Sequence, residues 1–315
     1  MSRPVTGRAA VPEEVSAAPD RGTLRLALVV GGLVLAVLLG FGLGRLNGGG
    51  ATAAGPATGT DHTHAPGTAP HDHGGTDQAP STDAGGLAIG TAGYTLAPLS
   101  TEFTPGRAAS LRFQIRDAQR RPVTRFAIVH DKPMHLIVVR RDLTGYQHLH
   151  PTMAPDGTWS VPLSLPQPGA WRAYADFTAL AADGTQTALT LGVDLAAPGR
   201  YDPRPLPAAA TATTVDGFTV DYQGTPQAGA NVALTFRITA DGAAPTLERY
   251  LGAYGHLVAL REGDLGYLHV HPEPALVDGA VRFWLTTPGP GRYRLYLDFQ
   301  VAGVVRTAEF TVTVP

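Results

Sequence analysis

The chain contains no cysteine among its 315 residues. That excludes disulfides, thiolate zinc sites and the cysteine that a blue-copper centre requires. Any metal must therefore be held by nitrogen, oxygen or methionine sulfur, and methionine is scarce: three residues, one of them Met1. Lys132 is the only lysine among 24 basic residues, and the net charge is −2. There is no basic block beyond the first 25 residues and no run of interleaved aromatics, so a nucleic-acid partner has no electrostatic support. Also missing are a Gly-x-Ser-x-Gly elbow, a phosphate-cradling glycine loop and a His-Glu-x-x-His helix. Without these or a thiol nucleophile, the sequence argues for a binding protein and against an enzyme.

What is present is hydrophobic content of 43%, enough for real cores, in a length that suits about two domains. Plentiful Ala, Gly and Pro with almost no lysine is the composition of a high-GC bacterial coding sequence. Residues 1–25 are polar and mixed in charge, with no sign of a fold. Leu26 to Gly44 has no charged or strongly polar residue over 19 positions, close to the ~20 a helix needs to cross the hydrocarbon core. Basic residues before it outnumber the single Arg45 that follows, which predicts a single-pass anchor in the cell membrane with residues 1–25 in the cytoplasm and the rest outside. The alternative is a cleaved signal peptide.

Residues 45–85 are mostly Gly, Ala, Thr, Pro, Asp and His, and are expected to form a disordered tether. Within it lie two His-x-His pairs, His62 with His64 and His71 with His73. They are either neutral filler in a spacer or a loose ligand arm for Cu(II), Zn(II) or Ni(II).

From residue 86 the pattern changes to period two. Leu111, Phe113 and Ile115 alternate with polar neighbours. So do Trp159, Val161 and Leu163; Trp171, Ala173, Ala175 and Phe177; and Ala188, Thr190 and Gly192. Pro-Gly and Asp-Gly pairs fall between these sets, which predicts short antiparallel strands and an all-β sandwich over 86–197. After a Pro-rich linker over 198–212, residues 213–315 repeat the plan with Leu234, Phe236 and Ile238; Val281, Phe283 and Leu285; Tyr293, Leu295, Leu297 and Phe299; and Val305, Ala308, Phe310 and Val312.

The repeat is sharpest where Met134 to Pro151 aligns without a gap on Gly255 to Pro272. His135, His148 and His150 fall on His256, His269 and His271. Each stretch reads as a β-hairpin turning at Asp142-Leu143-Thr144-Gly145 or its counterpart. A two-residue loop would set Val139 opposite His148 and Ile137 opposite His150, placing all three imidazoles of a copy on one face. One extra loop residue would send His135 to the other face.

Three imidazoles on one face make a candidate metal site. The plainer reading is that they tie the hairpin to a neighbouring strand. Asp176 and Asp298 occupy matching places in YADF and YLDF, each sharing a face with an arginine, Arg172 or Arg294. Either carboxylate is a metal ligand, an acceptor for the second N–H of a ligating histidine, or the partner of its arginine. Tyr146 and Tyr267 are expected to pack beside the turns. The copies differ: the first adds His130, Met134 and Met153, a softer set suited to Cu(I), and the second adds Glu273, suited to Cu(II) or Zn(II).

These hairpins, behind an anchor and a His-rich tether, resemble a group of actinobacterial secreted or membrane-anchored proteins. More distantly, the modules are similar to Ig-like or cupredoxin-like extracytoplasmic domains found with copper and heavy-metal handling systems. The resemblance implies metal handling through His135, His148, His150, His256, His269 and His271, and the missing cysteine departs from the electron-transfer cupredoxins. Taken together, the sequence predicts a membrane-anchored protein with extracytoplasmic domains that binds or buffers a transition-metal ion, copper or zinc. The alternative is a sandwich pair that docks a cell-envelope protein partner and uses its histidines for structure.

Overall fold

The computed structural model describes residues 84–315, except His269 and the side chain of His271. The expected tail, the membrane span over 26–44 and the tether histidines His62, His64, His71 and His73 lie outside the described residues. Among the described residues there is no helix. The fold is all-β: two antiparallel β-sandwiches built on one plan.

The first sandwich comprises β1 (Gly90–Thr91), β2 (Tyr94–Pro98), β3 (Ala109–Arg116), β4 (His135–Arg140), β5 (Gln147–Leu149), β6 (Thr152–Met153), β7 (Thr158–Leu163), β8 (Gly169–Leu180) and β9 (Gln186–Ala197). The second comprises β10 (Ala212–Val215), β11 (Phe218–Gln223), β12 (Asn231–Ala240), β13 (His256–Arg261), β14 (Tyr267–Leu268), β15 (Val270–Pro272), β16 (Val281–Thr286), β17 (Gly291–Val301) and β18 (Val304–Val314). One sheet of the first runs β1-β2-β3-β7-β6 and the other β5-β4-β8-β9; the second sandwich repeats both orders, strand for strand.

Alternation explains each core. Leu111, Phe113 and Ile115 on β3 and Trp159, Val161 and Leu163 on β7 meet Trp171, Ala173, Ala175 and Phe177 of β8 across the sandwich, all buried. In the second domain Leu234, Phe236 and Ile238 and Val281, Phe283 and Leu285 meet Tyr293, Leu295, Leu297 and Phe299. The β9 set is a correction. Leu191, Leu195 and Ala197 face the core, with Leu189 and Val193 beside them, and Ala188, Thr190 and Gly192 point the other way. Both parities of β9 carry small or apolar residues, so alternation alone left the face open. Backbone proximity decides it: Gly86 N–H donates to Thr190 C=O at 2.9 Å, and a Cβ on Gly192 would lie 1.9 Å from the Gly86 oxygen. On β18, Ala308, Phe310 and Val312 face inward as expected, but Val305 is 39% exposed.

β4 departs from half-burial, since all six of its residues are buried. One face serves its own sandwich. The other, with Ile137 and Val139, meets Val258 and Leu260 of β13 in a third apolar cluster shared by the two domains. Leu143, Leu265, Tyr174, Tyr267 and Tyr296 complete it. The contact is reciprocal: the Tyr174 hydroxyl donates to Leu265 C=O at 2.6 Å, and the Tyr296 hydroxyl to Leu143 C=O at 2.6 Å. Both leucines sit at the hairpin tips with positive φ, 63° and 61°. We expect Tyr296→Phe to cost about 1–2 kcal/mol, because it strands a buried carbonyl. Urea unfolding should show a lower midpoint at unchanged slope; an unchanged midpoint would refute this role for the hydroxyl.

Candidate functional site

The site grows from the turn of the β4–β5 hairpin. Arg140 N–H donates to Thr144 C=O at 2.9 Å and Leu143 N–H to Arg140 C=O at 2.8 Å. The Asp142 carboxylate caps the turn, taking the Thr144 hydroxyl at 2.7 Å and the Arg140 guanidinium at 2.7 Å. The resulting loop is wider than the two residues expected, so Ile137 lies opposite His148, where His150 was predicted. The slip is two residues. An even slip preserves which face each side chain takes, and His135, His148 and His150 still share a face. The second hairpin keeps the same register, with Leu260 opposite Tyr267 and Ala259 opposite Leu268.

His135, His148 and His150 each bring a ring nitrogen within 4.8 Å of the others. Their ring centroids are 5.3, 5.1 and 4.8 Å apart. Imidazoles on one tetrahedral ion, at a metal–nitrogen distance of about 2.0–2.1 Å, would have centroids about 5.2 Å apart.

Hydrogen bonds fix the tautomers. His135 Nε2 lies 3.0 Å from the Val129 carbonyl, and His148 Nδ1 lies 2.8 Å from Asp298 Oδ2. A carbonyl and a carboxylate only accept, so these two nitrogens carry the protons. The remaining nitrogens, His135 Nδ1 and His148 Nε2, face each other at hydrogen-bond distance, 3.1 Å. A third nitrogen, His150 Nε2, is buried and has no hydrogen-bond partner.

Burial, reinforced by neighbouring imidazoles, favours the neutral form of His135, His150 and His256. The His135 pKa is pushed down to about 4, first by desolvation and then by His148 and His130, against the Val129 hydrogen bond and Asp176. His150 falls to about 3 by desolvation, with His148, His135 and Lys132 adding to it. His256 falls to about 3 by desolvation and His130. Neutral imidazole is the metal-binding form.

Asp298 resolves one open choice. It accepts from His148, from the Tyr146 hydroxyl at 3.3 Å and from Thr307 Oγ1 at 2.6 Å. Arg294 pairs with Glu309, and Arg172 with Asp194 at 2.7 Å, so of the three alternatives Asp298 takes the role of acceptor for a histidine N–H. Asp176 accepts from Thr190 Oγ1 at 2.8 Å and from the Tyr267 hydroxyl, and it lies beside His135 in the strand register. Among the described residues the converging group is His135, His148 and His150. Tyr146 stacks on Tyr296 with centroids 4.1 Å apart.

Of the second triple, His256 reaches the nest, 6.1 Å from His135 and 5.9 Å from His148 between centroids. His269 lies outside the described residues, and of His271 only the backbone is described, opposite Trp284. His130 was noted only as a difference between copies, yet its ring is 5.0 Å from His256 and 6.0 Å from His135. The signal that could have found it is its place five residues before His135 in a chain whose histidines all cluster. The softer reading of the first copy is corrected: Met134, adjacent to His135 and so facing away from it, is fully buried in the first core, and Met153 on β6 packs on that core. Glu273 is occupied by the Trp284 indole N–H at 2.8 Å.

No curated protein matches the sequence. Solved structures with some similarity include the Escherichia coli adhesin FdeC, at 15% identity over 72% of this chain and 66% of that one, TM-score 0.23. InvD of Yersinia pseudotuberculosis gives 15% identity over 72% and 58%, TM-score 0.23. A Corynebacterium diphtheriae protein described as membrane anchored gives 10% over 71% and 57%, TM-score 0.22. The chain spans less than two thirds of these structures, and similarities this low carry no functional argument. A family model described as a domain of unknown function (DUF8832) matches residues 90–195 and 213–315, one copy per sandwich. The chain therefore belongs to the DUF8832 family and carries its domain twice.

Proposed function

We propose that the two sandwiches form a binding module of the cell envelope whose ligand is a transition-metal ion, copper or zinc, taken up by His135, His148 and His150. One observation carries this reading: three imidazole nitrogens converge in a half-buried nest while the opposite nitrogens of His135 and His148 are held by acceptors. An Asp298–His148 pair behind such a nitrogen is the arrangement in which a carboxylate orients a metal-ligating imidazole and raises its basicity. With every donor a nitrogen and no thiolate in the chain, imidazole chemistry suits Cu(II) and Zn(II). The expected anchor and tether would place this module outside the cytoplasm.

A second reading keeps the histidines as structure, in a sandwich pair that docks an envelope protein. It is favoured by the same His148–Asp298 contact, which joins the two domains whether or not an ion is bound. Calorimetric titration separates the two. In a full-length chain with His62, His64, His71 and His73 changed to Ala, Zn(II) or Cu(II) should bind with submicromolar affinity. His135→Ala, His148→Ala and His150→Ala together should abolish that binding. No heat of binding in the parent would leave the structural reading standing.

A further inference from the structure

Resting on the metal reading above, we infer that the ion is held between the two domains, with His256 of the second domain as a fourth nitrogen donor beside His135, His148 and His150. His256 opens β13 where His135 opens β4, and their surroundings match. The His135 Nε2 proton goes to the Val129 carbonyl at 3.0 Å. The His256 Nε2 proton goes to the carbonyls of Tyr250 and Leu251 at 3.2 and 3.3 Å. The same tautomer follows, with the lone pair on Nδ1.

The His256 centroid is 6.1 Å from that of His135 and 5.9 Å from that of His148. Tetrahedral ligands would stand about 5.2 Å apart, so the ring has to close up by about 0.9 Å on His135 and about 0.7 Å on His148; as it stands, His256 lies outside the group whose nitrogens are within 4.8 Å of one another. Three imidazoles leave one position of a four-coordinate ion open, and His256 is the residue assigned to it. The second domain already reaches into the ligand set from behind, since Asp298 on β17 holds His148. In the strand register Asp298 lies directly opposite His256. An ion with ligands on β4, β5 and β13 fastens the faces that the apolar cluster brings together, so occupancy and domain docking stabilise each other.

The test uses the full-length chain with the four tether histidines changed to Ala, titrated with Zn(II) and, as a spectroscopic stand-in, Co(II). The informative variant is His256→Gln, whose amide keeps a donor for Tyr250 and Leu251 but offers no imidazole lone pair. Expected are one tightly bound Zn(II) per chain, a Kd at least tenfold weaker in His256→Gln, and a shift of the visible Co(II) bands as an oxygen replaces the fourth nitrogen. The Zn(II)-induced rise in melting temperature should shrink as well. Unchanged Zn(II) affinity and Co(II) spectrum in His256→Gln would overturn the fourth-donor role while leaving the three-histidine site intact. Absence of Zn(II) binding in the parent would overturn both. Should His256→Gln fail to fold, His256→Asn provides the same comparison.

Discussion

Asp298→Ala should weaken Zn(II) or Cu(II) binding by 10- to 100-fold, the usual effect of removing a carboxylate behind a ligating imidazole. The same change should cost the metal-free chain about 3 kcal/mol, since it strands three donors at once. Asp298 is 2% exposed and accepts from His148, Tyr146 and Thr307. Removing one partner of a buried, hydrogen-bonded charge leaves the others unpaired in a low dielectric. Asp298→Asn provides the finer comparison: its side chain keeps the volume and one acceptor oxygen, so stability should recover in large part while metal affinity stays low. Calorimetry for binding and urea unfolding for stability read the two effects separately. If Asp298→Ala binds metal as tightly as the parent, the carboxylate does not orient a ligand, and its role is limited to joining the domains.

The second large effect is an acid transition in the presence of chelator. His135, His150 and His256 have folded-state pKa values of about 4, 3 and 3, against an ordinary value of 6.5. The unfolded chain therefore binds more protons than the folded one between those limits, and stability falls as pH falls. It is fully present above about pH 6.5 and is lost progressively towards pH 4. Each group adds a slope of up to about 1.4 kcal/mol per pH unit. The three together should remove about 3 kcal/mol between pH 7 and pH 5, with His150 counted well below its full share because solvent screens a half-buried ring. Asp176, which lies beside His135, opposes part of the loss by favouring imidazolium, whereas Lys132 and His130 add to it. Urea midpoints measured from pH 7.5 to 4.5 check this, with the His135→Ala, His148→Ala, His150→Ala triple as control. A midpoint flat between pH 7 and 5 would contradict neutral buried imidazoles, and saturating Zn(II) should steepen the loss, because protons compete for the same nitrogens.

Both results depend on features that differ in how far the sequence reveals them. The two sandwiches were legible because their strands obey a period of two: Leu111, Phe113 and Ile115 or Leu234, Phe236 and Ile238 leave one face apolar, and Pro-Gly and Asp-Gly pairs mark the turns. The repeat was legible because the histidine spacing recurs. That His135, His148 and His150 share a face was within reach of parity alone, and it survived a loop two residues wider than expected because two is even.

Other features had no local signal. β9 offers apolar residues on both parities, and only the approach of Gly86 to Gly192 decides which face turns inward. The run His135 to Arg140 looks like any buried strand, and nothing in it says that its second face meets Val258 and Leu260 of the other domain. Nor does the sequence place Asp298 behind His148, 150 residues earlier in the chain. The sequence by itself determined the all-β class, the duplication and the residues able to ligate a metal, since alternation and spacing are local properties of a strand. Tertiary structure alone decided that the two hairpin faces pack on each other and so gather histidines and a carboxylate from both domains into one nest, because which apolar surfaces bury each other depends on the shape of the whole chain.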